Sequence, residues 1–307
     1  MSESALPQAP SRAPTDLPAL IVLVLGAATI GFAGILVRLT ETGPTAGGFW
    51  RLALAVPFLF LLNLGVRAKP GHADRGHRLA IYAGLLFAGD LVCWHYGLVL
   101  TSVANATVLS NLAPIVVALA AWVFLRDAPR PIFALGLTIG VAGACGMALF
   151  ANHAAKPSSL LGDAFGAATA VWYGFYLLAV NAARRTLPAA TIMLISSAAG
   201  APILLAVALL LGEPIIPASI HGWFACLGLA GVHVVGQGAI AWALGRVKAS
   251  VAAVTLLVQP VVAGLAGMLI FDETLTPLQL IAAGMALAGV CIARLAAAPK
   301  IEAAPAA

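Results

Sequence analysis

The sequence predicts an all-α membrane protein: ten transmembrane helices, built as two inverted five-helix repeats. Three observations carry this. First, 62% of the 307 residues are hydrophobic and 9% are charged, where a soluble domain carries about 25% charged residues. So few polar groups cannot cover a surface in water, so lipid is the solvent. Second, the stretch Ser250 to Cys291 slid back 146 positions lands on its own likeness. Pro114 falls on Pro260, Pro131 on Pro277, Gly143 on Gly289 and Cys145 on Cys291, with Ala106, Val108, Val116, Leu119, Ala120 and Ala142 also matched and no gap. A repeat of this length decides the architecture. Third, positive charge alternates along the chain, as argued below.

Ten apolar runs of about 20 residues are each long enough to cross a hydrocarbon core of ~30 Å as helices. They are 19–38, 45–65, 79–100, 104–125 and 131–151 in the first half, and 160–183, 189–211, 221–245, 250–271 and 276–295 in the second. Residues 1–18, rich in Pro, Ser and Ala, read as a disordered cytoplasmic tail rather than a signal peptide, having no short apolar core with a cleavage site. Residues 19–151 form the first repeat, 152–159 a periplasmic linker, 160–295 the second repeat and 296–307 a cytoplasmic tail. Connections such as Ser102-Val103 and Leu187-Pro188 are too short for anything but antiparallel neighbours.

One set of span ends carries Arg12, Arg67, Lys69, Arg75, Arg78, Arg126, Arg130, Arg184, Arg185, Arg246, Lys248, Arg294 and Lys300; the other carries Lys156. This alternation places both termini in the cytoplasm of a bacterial inner membrane. Because five is odd, the second repeat enters the membrane from the opposite side, the arrangement that suits alternating access. Gly26-Ala27-Ala28-Thr29 echoes as Gly166-Ala167-Ala168-Thr169.

The net charge of +5 does not imply nucleic acid, because the cations sit in short gaps and form no stripe. Cys93, Cys145, Cys226 and Cys291 lie apart inside apolar runs and read as small buried residues, with no metal site or cofactor implied. No GxxxxGK[ST] loop exists, and no HExxH, GxSxG or paired carboxylates support an intramembrane enzyme, which stays a remote alternative.

Asp90 is the acid placed in the middle of a span. A carboxylate at that depth is expensive and usually faces a cavity, the alternative being a paired acid that glues helices. Trp94 follows one turn on, while His95 points roughly 140° away. His233 and Gln237 sit at mid-depth in the eighth span, the repeat partner of the third; His233 is a cavity residue or a satisfied core histidine. In the sixth span Trp172 and Tyr176 share a face with Thr169, suited to stacking on a ring or cation, or to helix packing. Asp90, Trp94, Trp172, Tyr176, His233 and Gln237 are thus the candidate substrate-binding set. Pro114 and Pro260 break the fourth and ninth spans, freeing the carbonyls of Ser110 and Leu256, and are candidate gating kinks flanked by Asn111 and Gln259. Arg38, ending the first span, and Arg51, early in the second, could each attract the carboxylate of a leaving substrate or snorkel to headgroups, and snorkelling is the preferred reading for Arg51.

Trp242-Ala243-Leu244, Ala249-Ser250 to Pro260, Phe271-Asp272-Glu273 and Leu278 to Gly289 resemble the EamA-type repeat of the drug/metabolite transporter superfamily. The first half is similar at Gly97-Leu98, Ala104 to Pro114, Leu125-Arg126-Asp127 and Gly143, and Arg51 and Pro57 resemble the Arg and Pro of the family's second helix. The first span departs, with Gly31-Phe32-Ala33-Gly34 where the family often has Trp and Asn. The resemblance implies ten helices around a central cavity and export of amino acids and other metabolites, aromatic amino acids among them. Expected partners are the bilayer and a small-molecule substrate, and two halves in one chain make a monomer sufficient. Proton-coupled efflux of small aromatic or lipophilic cations is the alternative.

Overall fold

The computed structural model describes residues 16–66, 73–101, 103–126, 128–150, 159–271 and 275–297. Ten helices there are long and apolar enough to cross a membrane: α1 Leu17–Arg38, α2 Pro44–Asn63, α3 Asp74–Leu100, α4 Ala106–Phe124, α5 Pro131–Leu149, α6 Leu160–Ala183, α7 Ala189–Leu210, α8 Ile220–Ala243, α9 Ala249–Ile270 and α10 Pro277–Ala296. All ten expected spans are present. The expected N-terminal tail up to Thr15 with Arg12 in it, Arg67, Lys69, Lys156 and most of the linker, Asp272 to Thr274, and the end of the chain with Lys300 lie outside the described residues.

Local chemistry sets the helix starts. Asp16 accepts a hydrogen bond from the Ala19 N–H at 3.2 Å and caps α1; Ser159 caps α6 and Ser219 caps α8. Pro44 and Pro131 open α2 and α5 at the first helical position, where the missing N–H costs nothing. The outer surface is apolar, with Phe124, Leu210 and Leu269 each more than two-thirds exposed. In water that would be a liability; in lipid it is the expected finish.

The packing repeats with the halves exchanged. Helix α1 lies against α8 and α9, while α6 lies against α3 and α4; α2 pairs with α7, and α5 with α10. Swapping each helix for the one five places on returns the same list, as a pseudo-two-fold axis requires. The α5–α10 pair crosses that axis backbone to backbone. A Cβ on Gly289 would run into the Gly140 backbone, and one on Gly143 into Ala286. Small residues there permit an approach that any side chain would prevent.

Several spans are interrupted. Helix α4 breaks at Asn111-Leu112 and α9 at Leu256-Leu257, just ahead of Pro114 and Pro260. The carbonyl that Pro260 cannot use is taken by the Gln259 N–H at 2.9 Å, a tighter turn that bends the helix. Helix α1 is interrupted at Phe32 and α2 at Leu54, and α8 loosens into a five-residue π segment from His233 to Gln237. Such segments concentrate at functional sites.

Two sets of contacts hold the bundle's ends. At the end opposite the chain's start, Glu213, just past α7, accepts from the Thr45 and Ala46 N–H groups (2.8 and 2.9 Å) and from the Tyr96 hydroxyl at 2.5 Å. The Gly43 N–H donates to Pro214 O, and Trp50 Nε1 to Ile215 O at 2.7 Å. Thr101 donates to Asp163 at 2.7 Å on the other side of that end. At the end where α1 starts, Asn181 donates to Leu244 O at 2.6 Å and Arg184 to Leu187 O and Ala241 O. Burial, and then neighbouring Arg246, pull the Arg184 guanidinium below its ordinary pKa. Arg246 pairs with Asp16 at 3.4 Å and lies 3.7 Å over the Trp242 ring.

Candidate substrate site

The interrupted helices meet around a cavity of about 200 Å³ in the middle of the bundle. A water needs roughly 10–15 Å³ of such space, so the chamber has room for a partly hydrated small molecule. Its floor and walls come from both halves. Helix α1 contributes Ile30, Gly31 and Gly34 around its break. Helix α4 gives Thr107, Ser110, Asn111 and Pro114, and α9 gives Leu256, Leu257, Gln259 and Pro260. Both prolines expected to bend their helices therefore border the same space.

The charges come from the first half alone. Asp90 and Trp94, one turn apart on α3, face the cavity as the sequence suggests, together with Phe87. Arg51 of α2 also faces it. It does not snorkel: it is 4% exposed and lies 5.4 Å over the Phe87 ring. It shares its helix face with buried Thr45, Gly48 and Leu52, the face pressed on α7. Asp90 is 7% exposed. The two opposite charges act on each other across the chamber without closing into an ion pair; among the described residues that geometry is met by Arg246 and Asp16. Each is buried at a depth where an unpaired charge is costly, and each keeps its face toward the cavity.

The second half supplies amides. Gln237, at the end of the π segment, lines the cavity, and its Nε2 has no hydrogen-bond partner; Gln259 Nε2 is in the same state. The Tyr173 hydroxyl lies within electrostatic reach of Gln237 and Gln259 as well as of Asp90 and Arg51, so it stands between the charged and amide sides.

Three other expected residues sit elsewhere. Trp172 is not part of the lining: its ring packs over Gly89 of α3 and is 39% exposed on the outer surface. Tyr176 is fully buried in the core between Phe87 (4.7 Å) and Tyr173 (5.8 Å), its hydroxyl near Met193 Sδ at 3.9 Å. His233 is also a core residue. Its Nε2 and Ser197 Oγ are 2.9 Å apart and its ring stacks on Phe87 at 5.4 Å. Thus Asp90, Trp94, Gln237, Pro114 and Pro260 are brought together, and Trp172, Tyr176 and His233 form a shell behind them. The face of α6 that meets the cavity runs through Thr169 and Tyr173, an i, i+4 pair. That pair was as legible as Thr169 with Trp172; nothing in the periodicity chose between them. For Arg51 the missed signal was its stripe with Thr45 and Gly48 at three-residue spacing, small residues that mark a packed face rather than a lipid-facing one.

Comparison with known proteins agrees with this fold. The model of the EamA-like transporter family matches residues 17–149 and 160–295, one match per repeat. Two curated relatives, each named "Pseudopaline exporter CntI", from Pseudomonas aeruginosa strains UCBPP-PA14 and PAO1, are 25% identical over 279 residues, covering 89% of this chain and 94% of each relative. A solved crystal structure superposes with a TM-score of 0.75 at 19% identity, covering 91% of this chain and 98% of that one; it supports the fold.

Proposed function

Since this chain belongs to the EamA-like transporter family, we propose that it exports amino acids and related small metabolites across a bacterial inner membrane by alternating access, with both termini in the cytoplasm. The observation that carries this is the chamber itself. It is small, central, bounded by matched helix breaks in α4 and α9, and faced by Asp90. The relatives named as exporters of pseudopaline support outward transport of a small metabolite. The orientation rests on the thirteen cations at one set of span ends against Lys156 at the other.

In this reading the two halves trade conformations. The α4 and α9 breaks bend in opposite senses, and the end contacts at Glu213 and at Asn181 and Arg184 release in turn. Asp90, Trp94 and Gln237 hold substrate, with Arg51 and Tyr173 added by the geometry. The test is substrate uptake into proteoliposomes with wild type and Asp90→Asn, run with and without a pH gradient. Loss of transport in the variant supports the site; unchanged uptake removes it.

A second reading, proton-coupled efflux of lipophilic cations, is favoured by the aromatic faces of Phe87, Trp94 and Tyr173 around an acid. Here transport collapses when the pH gradient is dissipated and amino acids do not compete.

A further inference from the structure

A buried cation and a buried anion that share a small chamber but do not pair are both waiting for counter-charges. Arg51 and Asp90 are each more than nine-tenths buried, both face the cavity, and neither neutralises the other at ion-pair distance. Arg51 Nε has no hydrogen-bond partner at all. The other groups that face this pair do not supply the missing charge. On α4 the lining polar groups are Thr107, Ser110 and Asn111; on α6, Thr169 and Tyr173; on α8, Gln237; on α9, Gln259. Every one of them is uncharged in its ordinary state.

From this we infer that the substrate is a zwitterion, with Arg51 taking its carboxylate, Asp90 its ammonium group, and the amide side of the chamber receiving the remainder. The inference rests on the exporter reading and narrows its substrate class. A planar guanidinium accepts a carboxylate on two parallel N–H donors, and Asp90 offers two acceptor oxygens to an ammonium group. A bound zwitterion satisfies both buried charges at once and adds no net charge. A lipophilic cation satisfies Asp90 and leaves Arg51 both unpaired and repelled, with Phe87 already occupied by Arg51 itself. A carboxylate without an amine leaves Asp90 in the mirror position.

The test is a mutant-by-ligand cycle, read as equilibrium binding to the purified full-length protein. The ligands are L-phenylalanine, L-leucine and L-glutamine; for each, the amine lacking the carboxylate and the acid lacking the amine; and tetraphenylphosphonium. In the wild type an amino acid binds about 10–100-fold more tightly than either truncated form, the size expected of one charge-assisted hydrogen-bonding group. Arg51→Gln removes the preference over the amine and keeps the preference over the acid. Asp90→Asn does the reverse, and Arg51→Lys restores part of the first preference. Because each preference is a ratio within one variant, partial unfolding cancels. Truncated amines or tetraphenylphosphonium binding as tightly as amino acids in the wild type overturns the inference, as does an Arg51→Gln protein with unaltered ratios, or no amino acid binding at millimolar concentration. Transport of tetraphenylphosphonium without amino-acid binding sinks the zwitterion and the amino-acid reading together, in favour of cation efflux. Amino-acid transport with unaltered ratios in both variants sinks the zwitterion while the exporter reading stands, and the expected binding ratios without transport do the opposite.

Discussion

The third and eighth helices are repeat partners, yet they serve the chamber differently. Applying the 146-residue offset to both, Phe87 corresponds to His233, Asp90 to Gly236 and Leu91 to Gln237, while Arg51 of α2 corresponds to Ser197 of α7. In the first half this set supplies two charges facing the cavity. In the second it is a closed core pair, His233 to Ser197 at 2.9 Å, with Gln237 as its one cavity group. Phe87 and His233, the corresponding pair, stack on each other at 5.4 Å. The duplication therefore preserved the scaffold and not the chemistry, which fits the proposed exporter: there two similar halves change shape together, whereas one set of counter-charges is enough to hold one substrate.

That contrast ranks the expected effects of mutation. The largest belong to the shared scaffold and strike both halves alike. Gly143→Leu and Gly289→Leu each force a side chain between the α5 and α10 backbones, costing about 3 kcal/mol or more, and both give aggregated protein on size-exclusion chromatography in detergent. If one is tolerated and the other is not, the halves are less equivalent than their contacts indicate. Next comes the first half's chemistry. Asp90→Asn lowers transport of the substrate about 10–100-fold with the protein still monodisperse. A smaller effect is expected on the second half's side. Ser197→Ala leaves His233 Nε2 without its partner and costs about 1–3 kcal/mol of stability, seen as a lower melting temperature, while transport per folded molecule stays at the wild-type level. Combining it with His233→Phe, which removes both polar groups, recovers much of that stability. A His233 variant with altered substrate affinity would instead return His233 to the binding site. Smallest is Trp172→Phe, whose ring faces outward: uptake stays within about twofold of wild type, since exposed substitutions fall within about ±0.5 kcal/mol.

The sequence carried the bundle well because its signals are long and mutually checking. Ten apolar runs, alternating cations and one offset all give the same architecture, and the prolines at 114 and 260 mark where α4 and α9 bend. Side-chain direction was harder to read. One step along a helix turns a residue by about 100°, so Trp172, Tyr173 and Tyr176 divide among lipid, cavity and core, and a run apolar on all faces gives no polar stripe to orient it. A cation near a span's end usually reaches headgroups, and the local sequence around Arg51 does not exclude that place. Its actual place depends on α7 packing over the face that carries Thr45 and Gly48, a contact between residues about 150 positions apart that no local pattern encodes.

The Glu213 carboxylate spans from the second repeat to the first, collecting two donors at the start of the second helix and a third, the Tyr96 hydroxyl, near the end of the third. One repeat thus brings the bolt and the other the socket, so on the alternating-access reading that mouth opens only when the two repeats part. Releasing the bolt exposes three hydrogen bonds to water, each worth about 0.5–1.5 kcal/mol net. On the alternating-access reading, this carboxylate acts with the Gly43, Trp50 and Thr101 contacts to set how long the doorway stays shut, and being far from the cargo it lets the speed of the cycle change without touching what is carried.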